Sequence, residues 1–301
     1  MSPGIDAPAF RLPAGIRLGT VALQVADLER SLDFYTRVLG FRVIAQDDAP
    51  GARAAMLGAP GDEAVLLELR EKAGVRRVPR RGRLGIYHFA VLLPTRKDFG
   101  RFLRHATDLG IDVGSSEHLV SEALYLVDPD GISVEVYRDR PRAEWPYRDG
   151  EIVAGILPLD REGVLAAAGD QPWRGLPSGT TNGHMHFYVG ELPPAEAFYH
   201  GALGFDKTAW SMPGMLFVSA GGYHHHVGLN TWAAGSPVAS EDDARLLSWE
   251  LVLPDRTVAE DAAVSLRGAG YDVTASDNAF LARDPWGITV RLRSVPQAGA
   301  R

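Results

Sequence analysis

Apolar residues recur along this chain with two periods. Leu28, Leu32, Tyr35 and Leu39 mark one face of a helix of about three turns, and Gly40 suits its cap. Elsewhere the period is two. Val134 and Val136 alternate with Glu135, so the carboxylate and the valines point to opposite faces of a strand. Asp128-Pro129-Asp130-Gly131 reads as a tight turn, with glycine where the backbone most often needs positive φ. The stretch from His118 to Glu135 therefore predicts two short strands and a hairpin turn carrying a histidine, a tyrosine and a carboxylate.

The pattern repeats. Val25–Phe41 matches Val189–Phe205 without a gap, with Val, Leu, Phe-Tyr and Leu-Gly-Phe in register. His88–Pro94 corresponds to Ser248–Pro254, Gly110–Val113 to Gly270–Val273, and Asp128–Glu135 to Asp284–Arg291. Each unit reads as a strand, an amphipathic helix and three short strands, giving an α+β chain of four βαβββ modules at 17–72, 84–138, 180–231 and 244–293. Two modules fall in residues 1–138 and two in 180–301. The segment 139–179 is a long, proline-containing connection with one short helix expected around Leu159–Ala168.

The bulk numbers narrow the function. A chain of 301 residues, 46% hydrophobic and 23% charged, is a globular protein large enough for two domains. A net charge of −7 disfavours a nucleic-acid partner, which calls for a basic surface. With no cysteine, disulfides, thiolate metal sites and cysteine nucleophiles are excluded. Met1–Asp6 shows no basic region followed by an apolar core, and no apolar run reaches the ~20 residues of a membrane helix. A cytoplasmic location without membrane contact is the expectation.

Four βαβββ modules resemble the vicinal oxygen chelate superfamily of glyoxalases, bleomycin-resistance proteins and dioxygenases, and the likeness covers nearly the whole chain. The spacing of His118, Tyr125, the Asp128–Gly131 turn and Glu135 is similar to the signature of extradiol, catechol 2,3-dioxygenase-like enzymes. Ser116, at the first position of that signature, departs from it. The resemblance implies two cupped, mostly antiparallel sheets, each built from paired modules. It places a metal inside a cup, with ligands from the first strand of each paired module and the last strand of one or both. First-strand positions are then Thr20, His88, His184 and Ser248. Last-strand positions are Glu68, Glu135, a residue of His224-His225-His226, and Arg291.

Under that resemblance, modules two and three offer His88, His184 and Glu135, the two-histidine, one-carboxylate set of non-haem Fe(II) oxygenases. Modules one and two offer Glu68, His88 and Glu135, a glyoxalase-like set. An arginine at 291 and serine at 248 leave module four without ligands. The remaining residues favour modules two and three. The expected enzyme is an extradiol dioxygenase of aromatic catabolism, acting on a catechol with O2 and Fe(II), Mn(II) suiting the same ligands. His225 is its implied acid–base catalyst, with one register slip giving that role to His224 or His226. His118 and Tyr125 are implied to bind substrate oxygens. The alternatives are a metal-dependent lyase or isomerase and a metal-free binding protein. Self-association is left open. His186 reads as a pocket residue, His105 and His200 as surface residues, and Phe34-Tyr35 and Phe198-Tyr199 as core.

Overall fold

A computed structural model describes residues 7–295. The leader reading at Met1–Asp6 and the tail 296–301 lie outside the described residues. Module one comprises β1 (Arg17–Val25), α1 (Leu28–Asp33), β2 (Arg42–Asp47), β3 (Ala54–Gly58) and β4 (Leu67–Glu71). Module two comprises β5 (Gly85–Leu92), α2 (Arg96–Asp108), β6 (Gly114–Glu117), β7 (Ser121–Val127) and β8 (Ser133–Asp139). The connection holds a small hairpin of β9 (Tyr147–Arg148) and β10 (Glu151–Ile152), then α3 (Arg161–Ala167). Module three follows with β11 (Thr181–Tyr188), α4 (Leu192–Glu196), β12 (Asp206–Ala209), β13 (Met215–Ser219) and β14 (Val227–Asn230). Module four closes the chain with β15 (Arg245–Leu253), α5 (Arg256–Gly268), β16 (Val273–Ser276), β17 (Ala279–Arg283) and β18 (Thr289–Ser294).

Local chemistry explains the helix starts. Asp27, Thr95 and Asp255 each accept a hydrogen bond from the backbone N–H three residues on, satisfying a donor that the first turn leaves free. The repeated Phe-Tyr segments widen into π-helical turns at Phe34–Val38 and Ala197–Ala202. Tyr35 and Tyr199 are buried as expected, and each also carries a polar tie. Tyr35 donates to Asp128 at 2.9 Å and Tyr199 donates to Asp284 at 3.0 Å. The repeated turns thus receive the repeated helices, and each tie joins consecutive modules.

The strands form two eight-stranded, mostly antiparallel sheets. One runs β16-β17-β18-β15-β1-β4-β3-β2 and joins modules one and four. The other runs β12-β13-β14-β11-β5-β8-β7-β6 and joins modules two and three. Each sequence half therefore supplies half of each sheet. A single apolar cluster backs both, including Leu23, Phe89, Val134, Phe187 and Trp249. Asn182 on β11 ties the sheets by donating to Gly19 and Leu66 carbonyls at 2.8 and 2.7 Å. Among the described residues no helix is long and apolar enough to cross a membrane.

Two expectations need correction. His200 is buried, not on the surface, with Nδ1 2.6 Å from the Phe205 carbonyl. The last-strand position of module three is Gly228, which pairs with His186, and not a residue of the histidine run. The run instead precedes β14. A Cβ at Gly228 would lie 2.9 Å from the His186 ring, so glycine there makes room for that imidazole.

Candidate metal centre and catalytic pocket

Strand register brings the ligand set together. Ala90 on β5 pairs with Glu135 on β8 and with His184 on β11. His88 is two residues before Ala90 and so shares its face. All four are buried, and the methyl of Ala90 leaves space above it for the larger groups. His88 Nε2 lies 3.0 Å from Glu135 Oε2, His184 Nε2 lies 3.1 Å from the same oxygen, and the two nitrogens are 3.3 Å apart. A transition metal with bonds of about 2.1 Å places neighbouring octahedral ligands about 3.0 Å apart, which this triangle matches. Among the described residues this is the one group of three histidines or carboxylates so placed.

The charge state also suits a cation. Burial would raise the Glu135 carboxyl, but the His184 and His88 imidazoles beside it hold it well below the usual carboxylate range. Burial pushes His88 down, toward the neutral form that ligates metal. The Nδ1 atoms of His88 and His184 are buried without a hydrogen-bond partner. Gly183 positions the neighbouring ring: a Cβ there would sit 1.7 Å from the Tyr137 hydroxyl, and Tyr137 packs against His184 at a centroid distance of 4.8 Å.

The other cup is built differently. Glu68 lies on β4 in the opposite sheet and pairs with Arg70 at 2.7 Å. Glu250 pairs with Arg291 and Arg293 at 3.4 and 3.3 Å. Thr20 donates its hydroxyl to the Val65 carbonyl. Glu68 therefore joins neither His88 nor Glu135, and the glyoxalase-like ligand set is not assembled.

Above the triad lies a cavity of about 450 Å³. His118, Tyr125, His184, His186, His224 and His225 line it, while His226 does not. His226 turns away to Ser219, with Nδ1 2.8 Å from the hydroxyl. His225 stacks on Phe217 with centroids 4.5 Å apart, and its ring is 4.3 Å from that of His184. Its Nδ1 meets His224 Nδ1 at 2.8 Å, and His224 Nε2 meets Asp139 at 2.9 Å. A carboxylate only accepts, so His224 carries its proton on Nε2. His225 must then donate from Nδ1, which leaves its Nε2 with a free lone pair. Burial, then the neighbouring imidazoles, hold His225 well below 6.5 and keep it neutral.

The same logic fixes His118. Its Nδ1 lies 2.6 Å from the Gly155 carbonyl, so it donates there, and its Nε2 accepts from Tyr125 at 2.8 Å. Burial and then the Glu135 charge push the Tyr125 hydroxyl well above 10, so it keeps its proton. His186 holds Asn230 at 2.9 Å. His105 is half-buried and stacks on Trp173.

Several site residues were missed from sequence. The alternation that carries Glu135 also puts Tyr137 and Asp139 on its face, and that signal was readable. Tyr223, which bonds both Tyr137 (2.6 Å) and Asp139 (3.1 Å), gave no such signal. The connecting segment supplies Ile152, Ala154, Gly155 and Ile156 to the cavity wall. It is a wall of the site as well as a link.

The sequence profile of the Glyoxalase/Bleomycin resistance protein/Dioxygenase superfamily matches residues 17–136. The chain is 43% identical over 272 residues to the catechol-2,3-dioxygenase of Bacillus subtilis strain 168, covering 89% of this chain and 93% of that protein. A lactoylglutathione lyase of Neisseria meningitidis serogroup B (strain ATCC BAA-335 / MC58) is 31% identical over 125 residues, covering 40% of this chain and 88% of that one. Maize glyoxalase I has the same fold, with a TM-score of 0.56 at 18% identity over 93% of this chain and 92% of its own. Fold, register and near-full-length identity together establish that this chain belongs to the glyoxalase/bleomycin resistance/dioxygenase superfamily, as an extradiol dioxygenase of the catechol-2,3-dioxygenase type.

Proposed function

We propose that the chain binds Fe(II) through His88, His184 and Glu135 and cleaves catechol-type rings beside their two hydroxyls, with O2 as co-substrate. The observation that carries this reading is the buried triangle of two imidazole nitrogens and one carboxylate oxygen, 3.0–3.3 Å apart, at the floor of a lined cavity. When bound, the metal supplies redox chemistry toward oxygen and acidifies the substrate hydroxyls, and Mn(II) suits the same donors. His225 Nε2 takes a proton from a substrate hydroxyl and returns it when the ring opens. Asp139 and His224 hold His225 in the tautomer that leaves Nε2 free. Tyr125, held in place by donating to His118, offers its oxygen as acceptor to the substrate hydroxyl that keeps its proton and so orients the ring. Phe217, Met212, Met215 and Trp232 line the cavity with apolar surface and exclude water from the reacting groups.

Protein loaded with Fe(II) under anaerobic conditions is mixed with catechol and then with air. A yellow ring-fission product appearing with one equivalent of oxygen consumed supports the reading. Absence of oxygen uptake across unsubstituted and substituted catechols contradicts it. A cytoplasmic location accords with this role, and the net charge of −7 disfavours a nucleic-acid partner.

A further inference from the structure

Resting on the ring-cleavage reading of this cavity, we infer that the preferred substrate is a catechol bearing an uncharged, largely apolar substituent. The reacting end of the substrate is fixed at the triad, so the rest of the cavity receives what the ring carries. A cavity of about 450 Å³ falls in the range that takes drug-sized ligands, which a single unsubstituted ring underfills. Apart from its histidines, tyrosines and Glu135 the wall is largely apolar, with Met212, Met215, Phe217, Trp232, Ile152 and Ile156. Unbranched methionines adapt to ligands of varied shape. Ile156 is 77% exposed, which places it at the mouth.

Among the described residues no lysine or arginine lines the cavity, and Glu135 is its one carboxylate. A carboxylate substituent would lose its water and meet no lysine or arginine, and the charge of the proposed Fe(II) is already balanced by Glu135 and the ionised substrate hydroxyl. Arg81 does not line the cavity, and its guanidinium lies over the Trp232 ring at 5.6 Å from the centroid. The wall also holds a buried neutral hydroxyl. Ser116 is 6% exposed, its hydroxyl has no partner, and pairing with Ala123 puts it on the Tyr125 face. That hydroxyl suits one neutral polar atom of the substituent.

The test compares catechol, 4-propylcatechol and 3,4-dihydroxyphenylacetate on the Fe(II)-loaded enzyme. Dissociation constants are measured without oxygen, and kcat/KM is measured after air is admitted. Each buried methylene strengthens binding by about fourfold, so propylcatechol should bind on the order of tenfold or more tighter than catechol. The acid should fall about 100-fold below propylcatechol in kcat/KM. Ile156→Arg, which places a cation at the exposed mouth, should narrow that gap by about tenfold. Equal use of all three compounds, or preference for the acid, overturns the inference. Failure of the underlying ring-cleavage reading looks different: catechol itself then consumes no oxygen.

Discussion

Asp139→Asn removes a charge from a carboxylate that lies outside the metal triad. In the native site this carboxylate accepts from His224 Nε2 at 2.9 Å and from Tyr223 at 3.1 Å. The first bond sets the His224 tautomer and, through it, the free lone pair on His225. A hydrogen bond to a charged group contributes about 1.5–3 kcal/mol, and an asparagine that turns its NH2 toward His224 reverses the preference altogether. Loss of 1.5–3 kcal/mol of tautomer preference corresponds to a fall in kcat of about 10- to 150-fold, within the ~10²–10⁴ that a general base contributes. The assay is steady-state oxygen uptake with catechol, alongside metal content of the same preparation. The expected result is a fall of that size with one metal per chain retained. Tyr223→Phe removes the other bond to Asp139 and leaves the His224 contact, so its effect should stay within about threefold. Asp139→Asn enzyme within twofold of native activity, fully metal-loaded, would refute the relay.

Tyr35→Phe and Tyr199→Phe each strip a hydroxyl from a buried aspartate, so each should destabilise the fold by about 1–3 kcal/mol in urea denaturation while leaving metal content intact; no change in midpoint would contradict the tie between modules. Burial raises Asp128 to about 7 and Asp284 to about 6, against an ordinary value of ~3.9. The folded state then holds protons that the unfolded chain has released, so stability should fall as pH rises from about 4 to about 7. Asp128→Asn, neutral throughout, should flatten that decline, and an unchanged slope would count against burial as its cause. Gly183→Ala sets a methyl 1.7 Å from the Tyr137 oxygen and must displace the ring that packs on His184, so metal affinity should drop about 10–100-fold by titration. Native affinity in that variant would sink the close-approach argument.

Much of this site is written in periodicity. The four strand-helix-strand modules and the candidate ligand positions His88, Glu135 and His184 follow from repeat registers, and the strand pairing brings those three residues together. The histidine run resisted such reading because it sits in the turn before β14, where no alternation rule applies. Its side chains sort by what each finds: His225 a phenyl ring, His224 a carboxylate and His226 a serine. Asp139 was legible from the Glu135 alternation, but its partner His224 comes from a module 85 residues away. The short helix of the connecting segment was legible, but not its packing, which depends on Val120, Trp145 and Ile152 meeting from separate stretches. His200 looked exposed on helical spacing, yet the π-helical turn and Phe205 bury it.

The central claim is that the metal belongs to the cup formed by modules two and three and draws on both sequence halves. Metal analysis of native protein, His184→Ala and Glu68→Gln, purified without chelator and loaded with Fe(II), tests it most directly. The account predicts about one metal per native chain, nearly none in His184→Ala and a full complement in Glu68→Gln, since a lone missing ligand opens the facial triad. Full metal content in His184→Ala, or its loss in Glu68→Gln, would contradict it.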